Sequence, residues 1–155
     1  MAVRMELSRI LIRELNDYQI IELREVTGAD APKPPTASVY EAAVEESQAR
    51  SFPIVIGLPE AQSIERRLKG ITIKRPQTHD LLANVIEALG AKLDSITIND
   101  LSDHTFFATL DVTKADGQQM HIDSRPSDAI ALGIAGGVPI YVAEHVLEAA
   151  TRDEG

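Results

Sequence analysis

The chain has 155 residues, of which 44% are hydrophobic and 25% charged, so its length and composition are those of one folded domain with a real core. It has no cysteine, which excludes disulfides, thiolate metal sites and cysteine nucleophiles, and its net charge of −9 opposes a broad nucleic-acid-binding surface. No apolar run approaches the roughly 20 residues of a membrane-spanning helix, and the N-terminus lacks a secretory signal. We therefore expect a cytoplasmic protein without membrane contact.

The first part of the chain predicts a hairpin and an irregular excursion. Residues 5–14 and 18–26 are rich in Ile and Leu and predict two strands, joined by a short turn at residues 15–17. Residues 27–51 are rich in Pro, Ala and acidic side chains, a composition that builds little core. This segment predicts an inserted excursion with one short helix near residues 38–47.

A strand and two helices are predicted next. Residues 52–57 read as a short buried strand, and residues 58–70 as a helix that begins with a Pro-Glu pair and ends at a glycine. Residues 78–89 carry Leu, Val and Ile at helical spacing and are followed by another glycine. Both glycines lie where a helix C-terminus requires them.

The rest of the chain predicts three strands, a helix, a strand and a last helix. In that order, their expected ranges are 93–98, 105–113, 118–123, 126–135, 138–142 and 143–150, with residues 151–155 as a tail. Strand runs followed by helices predict an α+β fold with a mixed or antiparallel sheet. Both halves place a helix after a third strand, which predicts an internal duplication of a strand-strand-strand-helix-helix unit within a single domain of residues 1–155.

Two of these helices begin with similar polar strings, RPQTHD at residues 75–80 and RPSD at residues 125–128. Helix initiation explains much of both strings, because proline suits the first turn, serine or threonine caps free N–H groups, and an acid suits the positive helix end. It does not explain His79, because a cationic imidazole opposes the helix dipole there. Asp123 adds a further carboxylate beside the second string.

A concentrated basic segment covers the last turn of the first predicted helix and the connection to the second. Five of the ten residues from 66 to 75 are basic, namely Arg66, Arg67, Lys69, Lys74 and Arg75. On so acidic a chain, this segment is either a solvated basic face or a patch that contacts phosphate. No phosphate-binding glycine loop, dinucleotide fingerprint or nucleophile elbow accompanies it.

Five segments in order carry a family resemblance: PIVIGLPEAQSI, RPQTHDLLANVIEALGA, ITINDLSDHTFFATL, IDSRPSDAIALG and PIYV. Over about residues 5–148 the chain resembles the bifunctional nuclease domain family. The resemblance implies an α+β fold, a homodimer and nuclease activity on DNA and RNA. Residues 104–108 read His-Thr-Phe-Phe-Ala where the family has Gly-Thr-Phe-Tyr-Ala, and residues 27–51 look inserted.

The family's motif positions carry over here to Glu60, Arg75, Thr78, His79, Asp80, Asp100, Asp123, Arg125, Ser127 and Asp128. The resemblance favours a nuclease assisted by Mg²⁺ or Mn²⁺, which oxygen ligands hold, with a histidine as general base or acid and arginines that clamp phosphate. In this nuclease hypothesis the expected metal ligands are Asp80, Asp123 and Asp128, with Glu60 and Asp100 as alternative ligands. Its catalytic residues are His79, Asp80, Asp128, Arg75 and Arg125. Its substrate-binding residues are Arg66, Arg67, Lys69, Lys74, Thr78 and Ser127.

Two other functions use the same residues, and the sequence leaves all three open. Two helix N-termini with an arginine beside each form an anion site that needs no metal. Alternatively, the arginines pair with the acids and hold the two halves, or two subunits, together. The negative net charge favours these two hypotheses, and the family resemblance favours the nuclease. An open cleft between the helix heads would favour binding or catalysis, and a closed set of ion pairs would favour a purely structural role.

Overall fold

The computed structural model describes residues 1–152 apart from 14, 17 and 27–48. Within these residues the chain forms seven strands and four helices, which confirms the α+β class. The strands are β1 (Ala2–Leu11), β2 (Gln19–Glu25), β3 (Ser51–Ile56), β4 (Lys92–Ser102), β5 (Thr105–Thr113), β6 (Gln119–Ser124) and β7 (Ile140–Ala143). The helices are α1 (Leu58–Leu68), α2 (Thr78–Ala88), α3 (Pro126–Gly136) and α4 (Glu144–Arg152). The helix predicted near 38–47, most of the 27–51 excursion and the last three residues lie outside the described part.

All seven strands belong to one sheet, in the order β3-β2-β1-β7-β4-β5-β6. Every neighbouring pair is antiparallel except β4 and β7. The sheet is therefore mixed, as predicted, with a three-stranded meander on each side of β7. The two halves differ after their meanders, because α1 and α2 follow one another directly whereas β7 separates α3 from α4. The internal duplication stays a prediction.

The first hairpin has a wider loop than the sequence predicted. Strand β1 ends at Leu11, not at residue 14, and β2 begins at Gln19. The side chain of Gln19 is buried and donates hydrogen bonds to the carbonyl oxygens of Arg13 (2.9 Å) and Asn16 (3.1 Å). The buried amide satisfies loop carbonyls that a tight two-residue turn would not expose, so the longer loop is stable.

The core lies between the sheet and the helices. Along β5, alternate residues Ala108, Leu110 and Val112 are buried, which is the two-residue period of a strand with one face in the core. Helix α3 packs against α1, α2, β4 and β5, and its Ala129–Gly133 segment is buried throughout. A Cβ atom added at Gly133 would lie 3.4 Å from Ile96, so the small residue lets the helix lie close to β4. The central position of α3 brings the heads of α1 and α2 beside its own.

The turn between β4 and β5 places two residues in a left-handed conformation. Asp103 has φ 50° and His104 has φ 61°, as the two central residues of a type I′ hairpin turn require. Only glycine adopts this conformation freely, and any other residue costs about 1–2 kcal/mol there. This geometry explains why the resemblance places a glycine at position 104, and it leaves the histidine of this chain in a strained backbone.

Candidate functional site

The first turns of three helices surround a cleft of about 290 Å³. Apart from Pro59, the residues that line the cleft are polar or charged: Glu60, Ser63, Arg66, Gln77, Thr78, His79, Arg125 and Asp128. Helices α1 and α3 each begin directly after a strand, β3 and β6, so the sheet fixes where both helix heads lie. The two polar strings at the heads of α2 and α3 lie side by side here, and the head of α1 completes the cleft.

A continuous chain of charged groups runs through the cleft. The Arg125 guanidinium donates from Nη2 to Glu60 Oε1 (2.7 Å) and from Nε to Asp128 Oδ2 (2.8 Å). The other carboxylate oxygen of Asp128 lies 3.0 Å from His79 Nε2. The Glu60 and His79 side chains are only 11% and 12% exposed, whereas Arg125 is 68% exposed. The network therefore holds the Glu60 carboxylate and the His79 imidazole in buried positions and exposes the Arg125 guanidinium to solvent.

The network fixes the charges of two of its members. Burial alone raises the pKa of the Asp128 carboxyl, but hydrogen bonds from Arg125 and His79 outweigh it and hold the pKa below its ordinary value. The hydrogen bond to Asp128 raises the pKa of Arg125 further. Asp128 is therefore an ionised acceptor at neutral pH, and the Nε2 atom that faces it carries a proton. In neutral His79 the free lone pair lies on Nδ1.

Three helix N-termini lie around the cleft. Each helix N-terminus carries a partial positive charge and unpaired backbone N–H groups, which together form an anion-binding site. Three such ends meet here, and the wall also carries two arginines, Arg66 and Arg125, and two carboxylates, Glu60 and Asp128, whose formal charges balance. The net charge of −9 is an average over the chain, so it does not oppose anion binding at this place.

Three of the predicted acids lie away from the charged network. Asp80 accepts a hydrogen bond from the backbone N–H of Gln77 (3.1 Å) and so caps α2. Asp123 is exposed on the edge strand β6, and Asp100 lies 3.7 Å from His145 of α4. The N-cap of α2 is Gln77, so the prediction that Thr78 caps the helix is wrong.

The basic segment does not act as one surface. Arg66 lines the cleft, whereas Arg67 donates to the carbonyl oxygen of Ala135 and Lys69 pairs with Glu65 at 3.2 Å. Lys74 and Arg75 are exposed and outside the cleft wall, so the structure does not bring Arg75 into the network. Ser127 is buried and lines a second cavity, which Arg125 also lines. Ser63 also lines the cleft and is absent from the predicted site, although its spacing of three residues from Glu60 on α1 could have indicated it.

The predicted metal site does not assemble among the described residues. Nowhere in residues 1–152, outside the gaps at 14, 17 and 27–48, do three His, Asp or Glu side chains form a group that fits a metal ion. Glu60 and Asp128 do approach one another, but both bond to the Arg125 guanidinium that lies between them. The donor set therefore fits a cation that belongs to the chain, and Mg²⁺ or Mn²⁺ stays a prediction.

A second polar cluster lies on the face of the sheet opposite α3. Asp111 accepts hydrogen bonds from Ser95 (2.8 Å), Thr97 (2.7 Å), Thr109 (3.0 Å) and His121 Nδ1 (2.9 Å). Burial alone raises the pKa of the Asp111 carboxyl, but these hydrogen bonds outweigh it and lower the pKa below the ordinary value of 3.8. The cluster ties three strands together through one carboxylate.

Asp111→Asn is expected to lower the free energy of unfolding at pH 7 by about 1–3 kcal/mol, because the amide turns a donor toward donors. The native pKa is lowered, so the contribution of the carboxylate is present above about pH 4 and is lost as the pH falls through the native value. Denaturant unfolding between pH 6 and pH 2 measures both effects. In Asp111→Asn, the free energy of unfolding should fall less steeply as the pH is lowered below about 4. Asp123→Asn replaces an exposed acid on β6 and should show the same pH dependence as the unmodified protein. The same pH dependence in both variants would contradict the stabilising role of the Asp111 carboxylate.

No helix in the described part of the chain is long and apolar enough to cross a membrane. The family model for the bifunctional nuclease domain matches residues 43–154, a range that contains every residue of the charged network. Two uncharacterized proteins of Mycobacterium tuberculosis, from strains CDC 1551 and H37Rv, are each 42% identical over 98 residues. The match covers 63% of this chain and 57% of each relative, so the chain spans little more than half the length of these relatives.

Proposed function

The chain belongs to the bifunctional nuclease domain family, and from that premise we propose that it hydrolyses phosphodiester bonds of DNA or RNA in the cleft between α1, α2 and α3. The observation that carries the proposal is the hydrogen-bonded chain from His79 through Asp128 and Arg125 to Glu60, at the edge of an open cleft. The network consists of ion pairs, but it is not closed, because its guanidinium is two-thirds exposed.

Arg125 and Arg66 would bind the phosphate. A guanidinium has five N–H donors, and Arg125 uses two of them on Glu60 and Asp128, which leaves three for phosphate oxygens. Arg66 lines the same cleft. The backbone N–H groups of the three helix heads add further donors, so a phosphodiester would be held by ionic attraction and by directional hydrogen bonds.

His79 would move the proton. Its Nε2–H donates to Asp128, which orients the ring and stabilises the imidazolium, as the acid of a catalytic triad does. Nδ1 would take a proton from water as the water oxygen bonds to phosphorus. The P–O bond to the leaving group then breaks, and the imidazolium returns its proton to the leaving oxygen. Water is thereby added across the bond, which gives a phosphomonoester and an alcohol.

No step of this mechanism is written through a metal ion, because the described residues offer no three-ligand group for one. Arg66, Arg125 and the helix ends would contact the phosphate instead. The predicted role of Mg²⁺ or Mn²⁺ is tested by cleavage with and without EDTA and added Mn²⁺.

The same geometry also fits a module that binds a phosphate-containing ligand without cleaving it. The double engagement of Arg125 by two carboxylates favours this second candidate, since both acids compete with an incoming anion. The two candidates differ in whether His79 and Asp128 transfer a proton.

The experiment that separates them measures cleavage of labelled single-stranded DNA and RNA with and without EDTA and added Mn²⁺. Asp128→Asn is compared with Asp80→Asn, which lies outside the cleft wall and keeps a side-chain oxygen that can accept the hydrogen bond from the Gln77 backbone N–H. All proteins are purified identically, because a contaminating nuclease would cut equally in every preparation. Cleavage that Asp128→Asn abolishes and Asp80→Asn retains supports the nuclease, and equal rates refute it.

We also propose that the chain forms a homodimer through α2. None of the residues of α2 is buried, and Leu81, Leu82, Val85 and Leu89 are between 39% and 78% exposed along one side of it. An apolar stripe of this kind marks a protein interface more often than a solvated surface. Sedimentation should show a dimer that Leu81→Glu with Val85→Lys converts to a folded monomer. A monomeric unmodified protein would contradict the proposal.

A further inference from the structure

A second cavity of about 540 Å³ lies beside the cleft, and the proposed function does not use it. Its walls come from β3, from the turn between β4 and β5, and from the start of α3. The volume lies in the range of about 300–1,000 Å³ that small-molecule sites occupy. The lining is largely apolar, and it includes the side chains of Tyr18, Ile56, Val55 and Phe106.

Two aromatic side chains and one histidine give this cavity surfaces on which a planar ring can stack. Tyr18 is 55% exposed, Phe106 is partly buried, and His104 completes the wall. His104 occupies this position with φ at 61°, where a glycine would be unstrained. Strained residues of this kind concentrate at binding sites, where the side chain is needed despite the cost of its backbone.

The cavity also presents hydrogen-bonding groups to the edge of such a ring. Strand β3 is an edge strand of the sheet, so one side of its backbone has no partner strand among the described residues. Pro53 on β3 is typical of an edge position. Ser127 is buried and contributes its side chain to the same wall. Apolar walls with a few directed polar groups are what a heteroaromatic ligand needs.

Arg125 connects the two spaces, because it lines both the cleft and the second cavity. A phosphate bound to its guanidinium would therefore lie at the boundary between them. In a nucleotide the base and the phosphate are joined through one sugar. A ligand with its phosphate at Arg125 can reach the second cavity with its own base.

We propose that this second cavity binds the unpaired base of the nucleotide whose phosphate Arg125 holds, so that the substrate is single-stranded nucleic acid. The inference rests on the proposed function for the position of the phosphate. A base in this cavity is removed from any duplex stack, and unstacking is easiest in a single strand. Stacking on aromatic side chains tolerates all four bases, so no strong base preference follows.

The test compares the affinities of AMP, ribose 5-phosphate and inorganic phosphate by isothermal titration calorimetry. AMP should bind roughly tenfold more tightly than ribose 5-phosphate, which lacks only the base, since stacking on an aromatic ring strengthens binding by about that factor. Tyr18→Ala should lower the affinity for AMP about fivefold to tenfold and leave the affinity for ribose 5-phosphate unchanged. Phe107→Ala removes a ring that is 40% exposed outside the cavity, and it should change neither affinity.

His104→Gly provides a second variant that cannot fail through misfolding of the turn. Glycine relieves the left-handed backbone, so the variant should be at least as stable as the unmodified protein and should still bind AMP more weakly. The unmodified protein should cleave single-stranded oligonucleotides faster than duplex ones. Tyr18→Ala should reduce the ratio of these two rates.

The outcomes separate this inference from the proposed function. Equal affinities for AMP and ribose 5-phosphate, no measurable binding of AMP, or an unchanged AMP affinity in Tyr18→Ala overturns the base site even if nucleic acid is cleaved. Base-dependent binding that Tyr18→Ala weakens supports the base site even if Asp128→Asn leaves cleavage unchanged. In that case the hydrolase proposal fails and the nucleotide-binding site stands.

Discussion

Asp128→Asn is expected to lower kcat/KM for hydrolysis of a single-stranded oligonucleotide about 10²–10⁴-fold, the range that general acid–base catalysis contributes. The carboxylate accepts from His79 Nε2, and it supplies the charge that stabilises the imidazolium. An asparagine is neutral, and its amide can donate to Nε2 and so stabilise the wrong tautomer. The measurement is steady-state cleavage of a fluorescent oligonucleotide, with circular dichroism to confirm that the variant folds.

The control for this prediction is Asp80→Asn, which should stay within about threefold of the unmodified protein because the asparagine oxygen can accept the same hydrogen bond from the Gln77 backbone N–H. His79→Gln should match the loss in Asp128→Asn, and the double variant should lose little more, because the two residues act as a unit. Additive losses would mean that Asp128 serves Arg125 rather than His79. Equal cleavage by all the proteins would exclude the histidine and the acid from the chemistry.

Arg125→Ala is the second large change, and it should act on both activity and stability. Loss of one charged donor for the transition state typically lowers kcat about 10²–10³-fold. The same substitution leaves the carboxylate of Glu60, only 11% exposed, without its charged partner, which should lower the free energy of unfolding by about 1–3 kcal/mol. Cleavage assays and urea unfolding measure the two effects separately.

Two further variants separate the structural and catalytic roles of Arg125. Glu60→Gln in the Arg125→Ala background should restore part of the stability, because it removes the stranded charge, but none of the activity. Arg125→Lys should retain phosphate affinity in part, since lysine keeps the charge but loses the planar fork that bonds two carboxylates. A loss of stability with unchanged hydrolysis in Arg125→Ala would assign the network a purely structural role, as in the third hypothesis from the sequence.

The predicted losses of activity require that the charged network borders an open cleft, and the structure shows how it does. Ion pairs alone would favour a structural role, because a fully buried set of charges has no access to a ligand. Here exposure differs among the groups of the network, since Glu60 at 11% is buried, Asp128 at 34% is intermediate and Arg125 at 68% is exposed. The buried acid anchors the arginine, and the exposed arginine faces the cleft.

Local patterns in the sequence determined the elements of this fold. The two-residue period along β5 and the helical spacing of apolar residues predicted the strands and helices of the described part within a few residues. Proline and acid at the helix heads predicted where α1 and α3 begin. The paired polar strings also singled out His79, Arg125 and Asp128, because helix capping left the histidine unexplained. All of these signals act between residues close together in the chain.

Only the tertiary structure decided which polar residues meet. Arg125 and Glu60 are 65 residues apart, and His79 and Asp128 are 49 apart, so no spacing rule joins them. Of three similar acids, Asp128 enters the network, Asp80 turns back to cap its own helix, and Asp123 lies exposed on an edge strand. The direction of each side chain depends on how its helix or strand is rotated against the sheet. That rotation is set by the burial of apolar residues elsewhere, above all around α3, and not by the polar residues themselves.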